Sequence, residues 1–226
     1  MEKGGSMKVY SIFKSIDGEV NWFGQGTQTT FLRLAGCNFS CPYCDSAYAQ
    51  SNDDTSETSV PKVFDTILAK GLRKVTITGG EPMLQKEEVY NLTKLLTQNG
   101  FDITIETNGS IKPYAFGSYF VMDYKTPSSK MNDRMISEEN FVSSLTFRDF
   151  VKFVINDEKD LNFAIWKTLR LINKGLMARV AFSPCIVPGE PEMRPEVILR
   201  ELWKYKMYNV VINIQIHKVV SLREGK

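Results

Sequence analysis

The stretch Cys37-Asn38-Phe39-Ser40-Cys41-Pro42-Tyr43-Cys44 carries three of the four cysteines of the chain within eight residues. The fourth, Cys185, stands alone, so the spacing is a poor plan for disulfides and favours metal ligation. Three thiolates on one short loop can bind three corners of a cubane iron–sulfur cluster. The fourth iron would then have no protein ligand, which suits a chelating substrate or cofactor better than simple electron transfer.

The main alternative for these cysteines is a structural zinc site. Zinc would need a fourth ligand, such as Cys185 or His217, to complete a tetrahedron. Such sites usually pair two short cysteine knuckles, whereas this sequence has one. The spacing therefore favours an iron–sulfur cluster and leaves zinc as the alternative.

Strand and helix patterns alternate along the rest of the chain. Period-two alternation and short apolar runs predict strands, and apolar residues at helical spacing predict helices. The predicted strands are 8–13, 29–34, 74–78, 102–107, 119–123, 150–155, 177–182 and 210–216, and the predicted helices are 59–71, 86–99, 159–174 and 195–207. About six or seven strand–helix units imply a parallel sheet covered by its crossover helices. The fold class is therefore α/β, an incomplete (partial) parallel β/α barrel.

Chemically distinctive residues follow the predicted strands. They are the cysteine stretch, Gly79-Gly80-Glu81, Glu106-Thr107-Asn108-Gly109, Asp123-Tyr124-Lys125, Ser183-Pro184 and His217-Lys218. Barrel enzymes build their active sites at the carboxyl ends of the strands. We therefore expect these segments to surround one site.

Composition sets the broad class. With 226 residues, of which 42% are hydrophobic, the chain is expected to form one domain over 7–226, preceded by a polar, disordered tail over 1–6. A formal net charge of +2 gives no basic excess, so nucleic acid is not an expected partner. No apolar run has the length of a membrane span, and the start lacks a secretory signal. These features predict a cytoplasmic protein with reduced cysteines and no membrane partner.

The three cysteines, together with Gly79-Gly80-Glu81-Pro82 after a strand, resemble the signature of the radical S-adenosylmethionine (SAM) superfamily. This resemblance implies a barrel of the radical SAM type and a 4Fe-4S cluster on Cys37, Cys41 and Cys44. In that superfamily the open iron chelates SAM, which one electron cleaves to methionine and a 5'-deoxyadenosyl radical. The two glycines would let backbone carbonyls approach SAM, and the carboxylate of Glu81 suits its ammonium group. Taken alone, such a glycine pair is more often just a strand-to-helix turn.

Flanking motifs resemble one family within that superfamily, the 7-carboxy-7-deazaguanine synthases. The similar segments are Ser15-Ile16-Asp17-Gly18-Glu19, Phe31-Leu32-Arg33-Leu34-Ala35-Gly36-Cys37, Cys44-Asp45-Ser46, Thr78-Gly79-Gly80-Glu81-Pro82-Met83-Leu84, Glu106-Thr107-Asn108-Gly109 and Gln215-Ile216-His217-Lys218. The resemblance implies contraction of 6-carboxy-5,6,7,8-tetrahydropterin to 7-carboxy-7-deazaguanine, with loss of ammonia. It also implies a Mg²⁺ requirement, an external electron donor of the flavodoxin or ferredoxin type, and a homodimer.

The resemblance assigns the carboxylate end of the substrate to Arg33 and Ser46. An arginine offers a bidentate fork for a planar carboxylate, although most arginines are simply exposed. Ser46 matches the hydroxyl ligand of Mg²⁺, an ion that keeps several waters, and Asp45 would orient those waters. Without this context, Asp-Ser reads as an ordinary turn.

The remaining predicted substrate residues would contact the pterin ring. His217 is the sole histidine and more often such a residue is structural, but at a barrel mouth it can hydrogen-bond a heterocycle. The other members of this set are Ile16, Asp17, Gly18, Thr78, Glu106 and Asn108. Glu106 and Asn108 have a competing interpretation, in which their sole role is to stabilise the turn at Gly109.

Three segments depart from the family pattern. Asp17 stands where many relatives have glutamine, Asp123-Tyr124-Lys125 where others have Ser-Pro-Lys, and Ser183-Pro184 where some have Gln-Pro. The last two segments contact SAM in the family, so the resemblance places Asp123, Tyr124, Lys125, Ser183 and Pro184 in the SAM site. No terminal carboxylate ligand is expected after Lys218, and Cys185 is expected to be a small buried side chain.

Two other functions remain open from the sequence. One is a radical-activating enzyme that acts on a protein partner, which would need an open docking groove. The other is a zinc-stabilised binding module without catalysis. Arg33, Ser46 and His217 favour a small carboxylated substrate over both.

Overall fold

The structure is a computed structural model that describes residues 5–51, 55–186 and 193–219. Its centre is one nine-stranded sheet in the order β3-β1-β2-β4-β5-β6-β7-β8-β9. The strands are β1 (Ser6–Ile16), β2 (Gln28–Leu34), β3 (Ser56–Ser59), β4 (Lys74–Gly79), β5 (Asp102–Thr107), β6 (Tyr119–Asp123), β7 (Phe150–Ile155), β8 (Arg179–Pro184) and β9 (Val211–Ile212). In the described part of the chain the two edge strands, β3 and β9, do not pair with each other, so the barrel is incomplete.

The parallel part of the sheet confirms the predicted fold class. From β2 through β4 to β9, each strand pairs in parallel with the next one in the sheet order. The helices are α1 (Val60–Leu68), α2 (Lys86–Gln98), α3 (Glu138–Ser143), α4 (Glu158–Asn173), α5 (Pro195–Lys204) and α6 (Ile216–Val219). Among the described residues, no helix is both long and apolar enough to cross a bilayer.

The edge carrying β1 differs from the prediction of a purely parallel sheet. β1 runs antiparallel to both β2 and β3. The segment 17–27 joins it to β2, without the crossover helix that a parallel pair would need. β3 was not predicted, since its sequence, Ser-Glu-Thr-Ser, has no apolar position to mark a strand face. β1 begins at Ser6, inside the predicted tail, and residues 1–4 of that tail lie outside the described residues.

The last predicted strand, 210–216, is wrong beyond Ile212. The side chain of Asn213 turns inward, accepts a hydrogen bond from the backbone N–H of Val20 at 3.0 Å and donates one to Ser183 at 3.1 Å. These bonds draw the chain out of the ladder, and α6 begins at Ile216. His217 therefore lies on a short helix and not at the end of a strand.

Side chains alternate between the outside and the inside of the barrel. On β4, Val75 and Ile77 point outward into the main apolar core under the helices. Thr76 and Thr78 point inward, where they bond Asp17 and Glu106. The apolar cluster inside is small, formed by Val20, Val121, Phe150 and Ala181 with Val211 packed against it. Much of the remaining interior is polar, and this polar interior leads up to the site.

Candidate active site

A cavity of about 420 Å³ lies at the carboxyl ends of the parallel strands. Residues from the ends of β2, β4, β5, β6 and β7 line it, together with the cysteine loop and the segment that contains α6. This is the edge at which barrel enzymes bind their substrates. The volume falls within the usual range of small-molecule sites, about 300–1,000 Å³.

The thiols of Cys37, Cys41 and Cys44 all face this cavity and none forms a disulfide. The loop is held by a backbone bond from Cys44 N–H to the carbonyl of Cys41 at 3.1 Å. The side-chain amide of Asn108 donates to Cys37 Sγ at 3.7 Å. Burial raises the pKa of both Cys37 and Cys41, and the charge of Cys44 raises each further. Such thiols become stable thiolates when a metal centre compensates the charge.

The cysteine loop fits an iron–sulfur cluster better than zinc. Across the described residues, no three His, Cys, Asp or Glu side chains converge on a single metal ion. Around one zinc the thiolates must meet at a common atom, whereas in a cubane each thiolate binds a different iron and the sulfurs lie farther apart. Three thiols from one short loop that line a single cavity can each bind a different iron of such a cluster.

Arg33 lies near the end of β2, with 9% of its surface exposed, and lines the cavity beside the cysteine loop. Its guanidinium carbon is 6.0 Å from the ring centroid of Phe13 and 5.6 Å from that of Tyr48. Phe13 in turn stacks on Phe31. The aromatic rings restrict the side chain, so the guanidinium is ready to bind a carboxylate with little further ordering.

Ser46 also lines the cavity, directly after the cysteine loop. Its hydroxyl is 3.8 Å from Cys44 Sγ and 3.5 Å from an oxygen of Asp45. Asp45 forms an ion pair with Lys218 of α6 at 3.2 Å. Asp45 is about half exposed, and the charge of Lys218 lowers its pKa, so the carboxyl group stays ionised. A hydroxyl and a carboxylate thus stand together at the cavity wall.

Gly79 and Gly80 line the cavity and are required for close backbone packing. A Cβ at Gly79 would lie 2.1 Å from the carbonyl oxygen of Leu34, and one at Gly80 would lie 2.0 Å from that of Gly36. Gly79 also has φ of +134°, a conformation that other residues rarely adopt. The pair therefore presses β4 against the start of the cysteine loop.

Glu81 is fully buried and its side chain does not line the cavity. Its carboxylate accepts hydrogen bonds from Met83 N–H at 2.8 Å, Thr107 Oγ1 at 2.7 Å and Asn108 N–H at 2.6 Å. Burial raises the pKa of Glu81, although these hydrogen bonds lower it in part. The carboxylate expected to bind the SAM ammonium is thus already engaged in joining the turn after β4 to the end of β5.

The SAM segments predicted by the resemblance are only partly exposed to the cavity. Asp123 and Lys125 line it and form an ion pair at 2.6 Å. Tyr124 points outward and packs on Phe141 and Phe153, with ring centroids 4.9 and 5.5 Å away. Its side chain belongs to the core, since alternation along the strand turns it away from its two neighbours.

The pair Ser183 and Pro184 does not line the cavity either. Ser183 is fully buried and donates to the carbonyl of Asn213 at 3.2 Å. Cys185, the next residue, does line the cavity, with 5% of its surface exposed. The expectation of a small buried side chain for Cys185 agrees with this placement.

Three residues of the predicted pterin site meet at the cavity wall. Thr78 donates to a carboxylate oxygen of Glu106 at 2.8 Å. Burial, and then repulsion from Glu19, raises the pKa of Glu106 to about 7. Asn108 bonds Asn38 at 3.0 Å as well as Cys37, so it organises the cysteine loop.

His217, Gly18 and Ile16 line the same wall. A Cβ at Gly18 would lie 1.7 Å from Nδ1 of His217, so only glycine lets the histidine ring sit there. Burial lowers the pKa of His217, and the neutral ring keeps one donor and one acceptor nitrogen.

Asp17, by contrast, does not line the cavity. Its carboxylate pairs with Lys74 and accepts from Thr76 at 2.7 Å, below the site. Burial raises the pKa of Asp17, although Lys74 and Thr76 lower it in part. The acidic side chain that departs from the family pattern is thus neutralised by a buried lysine.

Glu19, Lys152 and Gln215 line the cavity and received no role from the sequence. Lys152 pairs with Glu19 and lies 3.2 Å from Asp123, and Gln215 donates to Glu19 at 2.6 Å. One signal was available for Lys152, which stands in the middle of the otherwise apolar strand Phe-Val-Lys-Phe-Val-Ile. A charge at the centre of a buried strand indicates a polar partner inside the fold.

Comparisons with known proteins agree with this geometry. The sequence profile of the Radical SAM superfamily matches residues 32–116. The chain is 34% identical over 224 residues to the 7-carboxy-7-deazaguanine synthase of Clostridium acetobutylicum, covering 94% of this chain and 95% of that protein. It is 33% identical over 222 residues to the enzyme of that name from Methanospirillum hungatei JF-1, covering 97% and 88%.

Solved structures share the fold. QueE from Escherichia coli matches with a TM-score of 0.73 and 19% identity over 92% of this chain and 93% of that one. A radical SAM methyltransferase from Sphaerobacter thermophilus matches with a TM-score of 0.56 and 18% identity over 95% and 74%. The family profile, together with an incomplete barrel that has three cysteines at its mouth, places the chain in the radical SAM superfamily. Within it, the chain belongs to the 7-carboxy-7-deazaguanine synthase family.

Proposed function

We propose that the protein is a radical SAM carbon–nitrogen lyase of queuosine and deazapurine biosynthesis. It converts 6-carboxy-5,6,7,8-tetrahydropterin to 7-carboxy-7-deazaguanine and releases ammonia. The observation that carries the proposal is the single cavity in which three free thiols, Arg33 and a set of hydrogen-bonding side chains face one another. The similarity to the 7-carboxy-7-deazaguanine synthase of Clostridium acetobutylicum covers nearly the whole length of both chains.

The thiols of Cys37, Cys41 and Cys44 would hold the 4Fe-4S cluster, and the polar residues beside them would bind SAM. When bound, the cluster supplies the electron that cleaves SAM. Around this centre the chain positions its ligands: Gly79 and Gly80 bring β4 against the loop, and Asn108 fixes Cys37. Asp123 and Lys125 add a charge pair at the same wall.

The other wall of the cavity suits a pterin carboxylate. Arg33 would bind the carboxylate, and the neutral His217, Thr78 and the partly protonated Glu106 offer both donors and acceptors to the edge of the heterocycle. Ile16 and Gly18 would contribute backbone groups. Asp17 acts indirectly, because its pairing with Lys74 holds this segment in place.

We assign the magnesium requirement to Ser46. Mg²⁺ prefers oxygen ligands and keeps much of its water shell, so a hydroxyl, the substrate carboxylate and several waters form a sufficient site. Asp45, held ionised by Lys218, would accept hydrogen bonds from those waters.

Replacement of Ser46 by Ala tests this assignment. Turnover should fall, and the magnesium concentration for half-maximal rate should rise by about tenfold or more, because an oxygen ligand is lost. Ser40 lies in the same loop, is exposed and does not line the cavity, so Ser40→Ala is the matched control. Iron content should match wild type in both variants. An unchanged magnesium dependence in Ser46→Ala would mean that the serine is only a turn residue.

The rival functions fit the cavity less well. A radical-activating enzyme would need a groove for a polypeptide, whereas this cavity has the volume of a small-molecule site. A zinc module would need converging ligands, which the described residues do not provide. An external flavodoxin- or ferredoxin-type donor, a homodimer and a cytoplasmic location stay predictions.

The experiment that tests the proposed function is a direct product assay. Anaerobically reconstituted protein is incubated with reductant, SAM, Mg²⁺ and 6-carboxy-5,6,7,8-tetrahydropterin, and the deazaguanine acid is sought by mass. A brown protein that contains iron and sulfide and forms this product supports the proposal. A colourless protein with stoichiometric zinc and no product supports the binding module.

A further inference from the structure

Lys152 is a buried lysine in the cavity wall to which the proposed function assigns no role. It lies at the centre of β7, with 7% of its surface exposed, and its side chain enters the cavity. Burial alone would lower the pKa of Lys152, but the charges of Asp123 and Glu19 hold it well above its ordinary value. The ammonium group is therefore permanently charged inside the barrel. Such a charge is tolerated only when its partners are correctly placed.

The two partners of Lys152 come from distant parts of the chain, one just after β1 and the other at the end of β6. Glu19 follows the segment proposed to contact the pterin, and Asp123 opens the segment proposed to contact SAM. Each carboxylate has a further contact on its own side: Gln215 donates to Glu19 at 2.6 Å, and Lys125 pairs with Asp123 at 2.6 Å. Within the described residues, Lys152 is the ion-pair partner common to both.

A shared cation makes the two carboxylates energetically dependent on each other. A hydrogen-bond donor of the pterin that binds Glu19 frees Lys152 to pair more closely with Asp123, and Asp123 can then release Lys125 to the carboxylate of SAM. In the reverse direction, SAM that binds Lys125 leaves Asp123 to Lys152, and Glu19 becomes available to the pterin. Repulsion among Glu19, Asp123 and the nearby Glu106 is low only while the ammonium stays between them. The arrangement is one connected chain of alternating charges, Lys125, Asp123, Lys152 and Glu19.

We propose that Lys152 is a positioning residue that couples the pterin side of the cavity to the SAM side, so that each ligand tightens the binding of the other. This inference rests on the proposed function and adds to it a means of avoiding SAM cleavage without substrate. By thermodynamic linkage, the effect of the pterin on SAM affinity must equal the effect of SAM on pterin affinity. Coupling of this kind typically changes affinity by about fivefold or more.

The test measures binding without turnover. Cluster-loaded, unreduced wild type is dialysed to equilibrium against labelled SAM, with and without 6-carboxy-5,6,7,8-tetrahydropterin, and the reciprocal titration is made with the pterin. We expect each ligand to tighten the other by about fivefold or more. In Lys152→Met the coupling factor should fall to about one, because no cation then links Glu19 to Asp123.

Lys167→Met is the matched control. Lys167 is equally buried and pairs with Glu138 at 2.6 Å, but it lies outside the barrel, where it packs on the outer face of Tyr124. Its replacement should lower thermal stability and leave the coupling factor unchanged. If Lys152→Met does not fold, Lys152→Gln removes the charge and keeps a polar group of similar reach.

Coupling that persists in the folded Lys152 variant would overturn the inference. So would wild type that forms product but shows no coupling, since the proposed function would then stand without it. Wild type that forms no product would instead refute the proposed function itself. The product assay and the dialysis therefore separate the two failures.

Discussion

Alanine at Cys37, Cys41 or Cys44 is expected to remove most of the bound iron and all SAM cleavage. Each thiolate would hold a different corner of the cluster, and the three thiols share one cavity wall with no fourth cysteine in the loop. Loss of one corner therefore exposes the cluster to dissociation. Iron and sulfide content after anaerobic reconstitution, and deoxyadenosine released on reduction with SAM, are the measurements.

Cys185→Ala is the matched control for these variants. Cys185 also lines the same cavity, but it follows β8 and does not belong to the loop. Its replacement should leave iron content and SAM cleavage nearly intact. If Cys185→Ala also strips the iron, the assignment of three protein ligands is wrong.

The second large effect is expected at Arg33. Without its guanidinium, the substrate carboxylate loses the anchor that fixes the reacting carbon, and misplacement by about 1 Å can lower a rate by about a hundredfold. In Arg33→Ala we therefore expect product formation to fall by about that factor, while SAM continues to be cleaved without product. The ratio of deoxyadenosine to 7-carboxy-7-deazaguanine should rise accordingly, and both are measured by mass in one reaction.

Arg148→Ala controls for the loss of an arginine held by aromatic rings. Arg148 packs on Trp22, Tyr119 and Phe147, much as Arg33 packs on Phe13 and Tyr48, but it does not line the cavity. This variant should keep the wild-type ratio of the two products. A normal ratio in Arg33→Ala would show that the arginine does not position the substrate.

The parallel strands could be predicted closely because their sequences carry buried apolar runs. β5, β6 and β7 begin and end at the predicted residues, and the ends of α2 and α4 fall within one residue of the prediction. β3 and the turn into α6 could not be predicted, since both depend on distant partners. β3 needs the edge of β1, and the chain before α6 needs the inward bonds of Asn213.

The sequence predicts that the site lies at a set of strand ends. It does not predict which side chains face the cavity. Tyr124 and Glu81 carry suitable chemistry and stand beside cavity residues, yet one packs outward and the other is held by three internal hydrogen bonds. The direction of each side chain depends on its place in the alternation along the strand and on the turn geometry at the strand end. Lys152 is the opposite case: its side chain faces the cavity, but it belongs to no motif, so a search for motifs does not identify it.

The most direct test of the account is the fate of 6-carboxy-5,6,7,8-tetrahydropterin with cluster-loaded wild-type protein, reductant, SAM and Mg²⁺. We expect 7-carboxy-7-deazaguanine and one equivalent of ammonia for each product, with no product when SAM or reductant is omitted. Deoxyadenosine formation without any deazaguanine acid, from protein with a full complement of iron and sulfide, would contradict it.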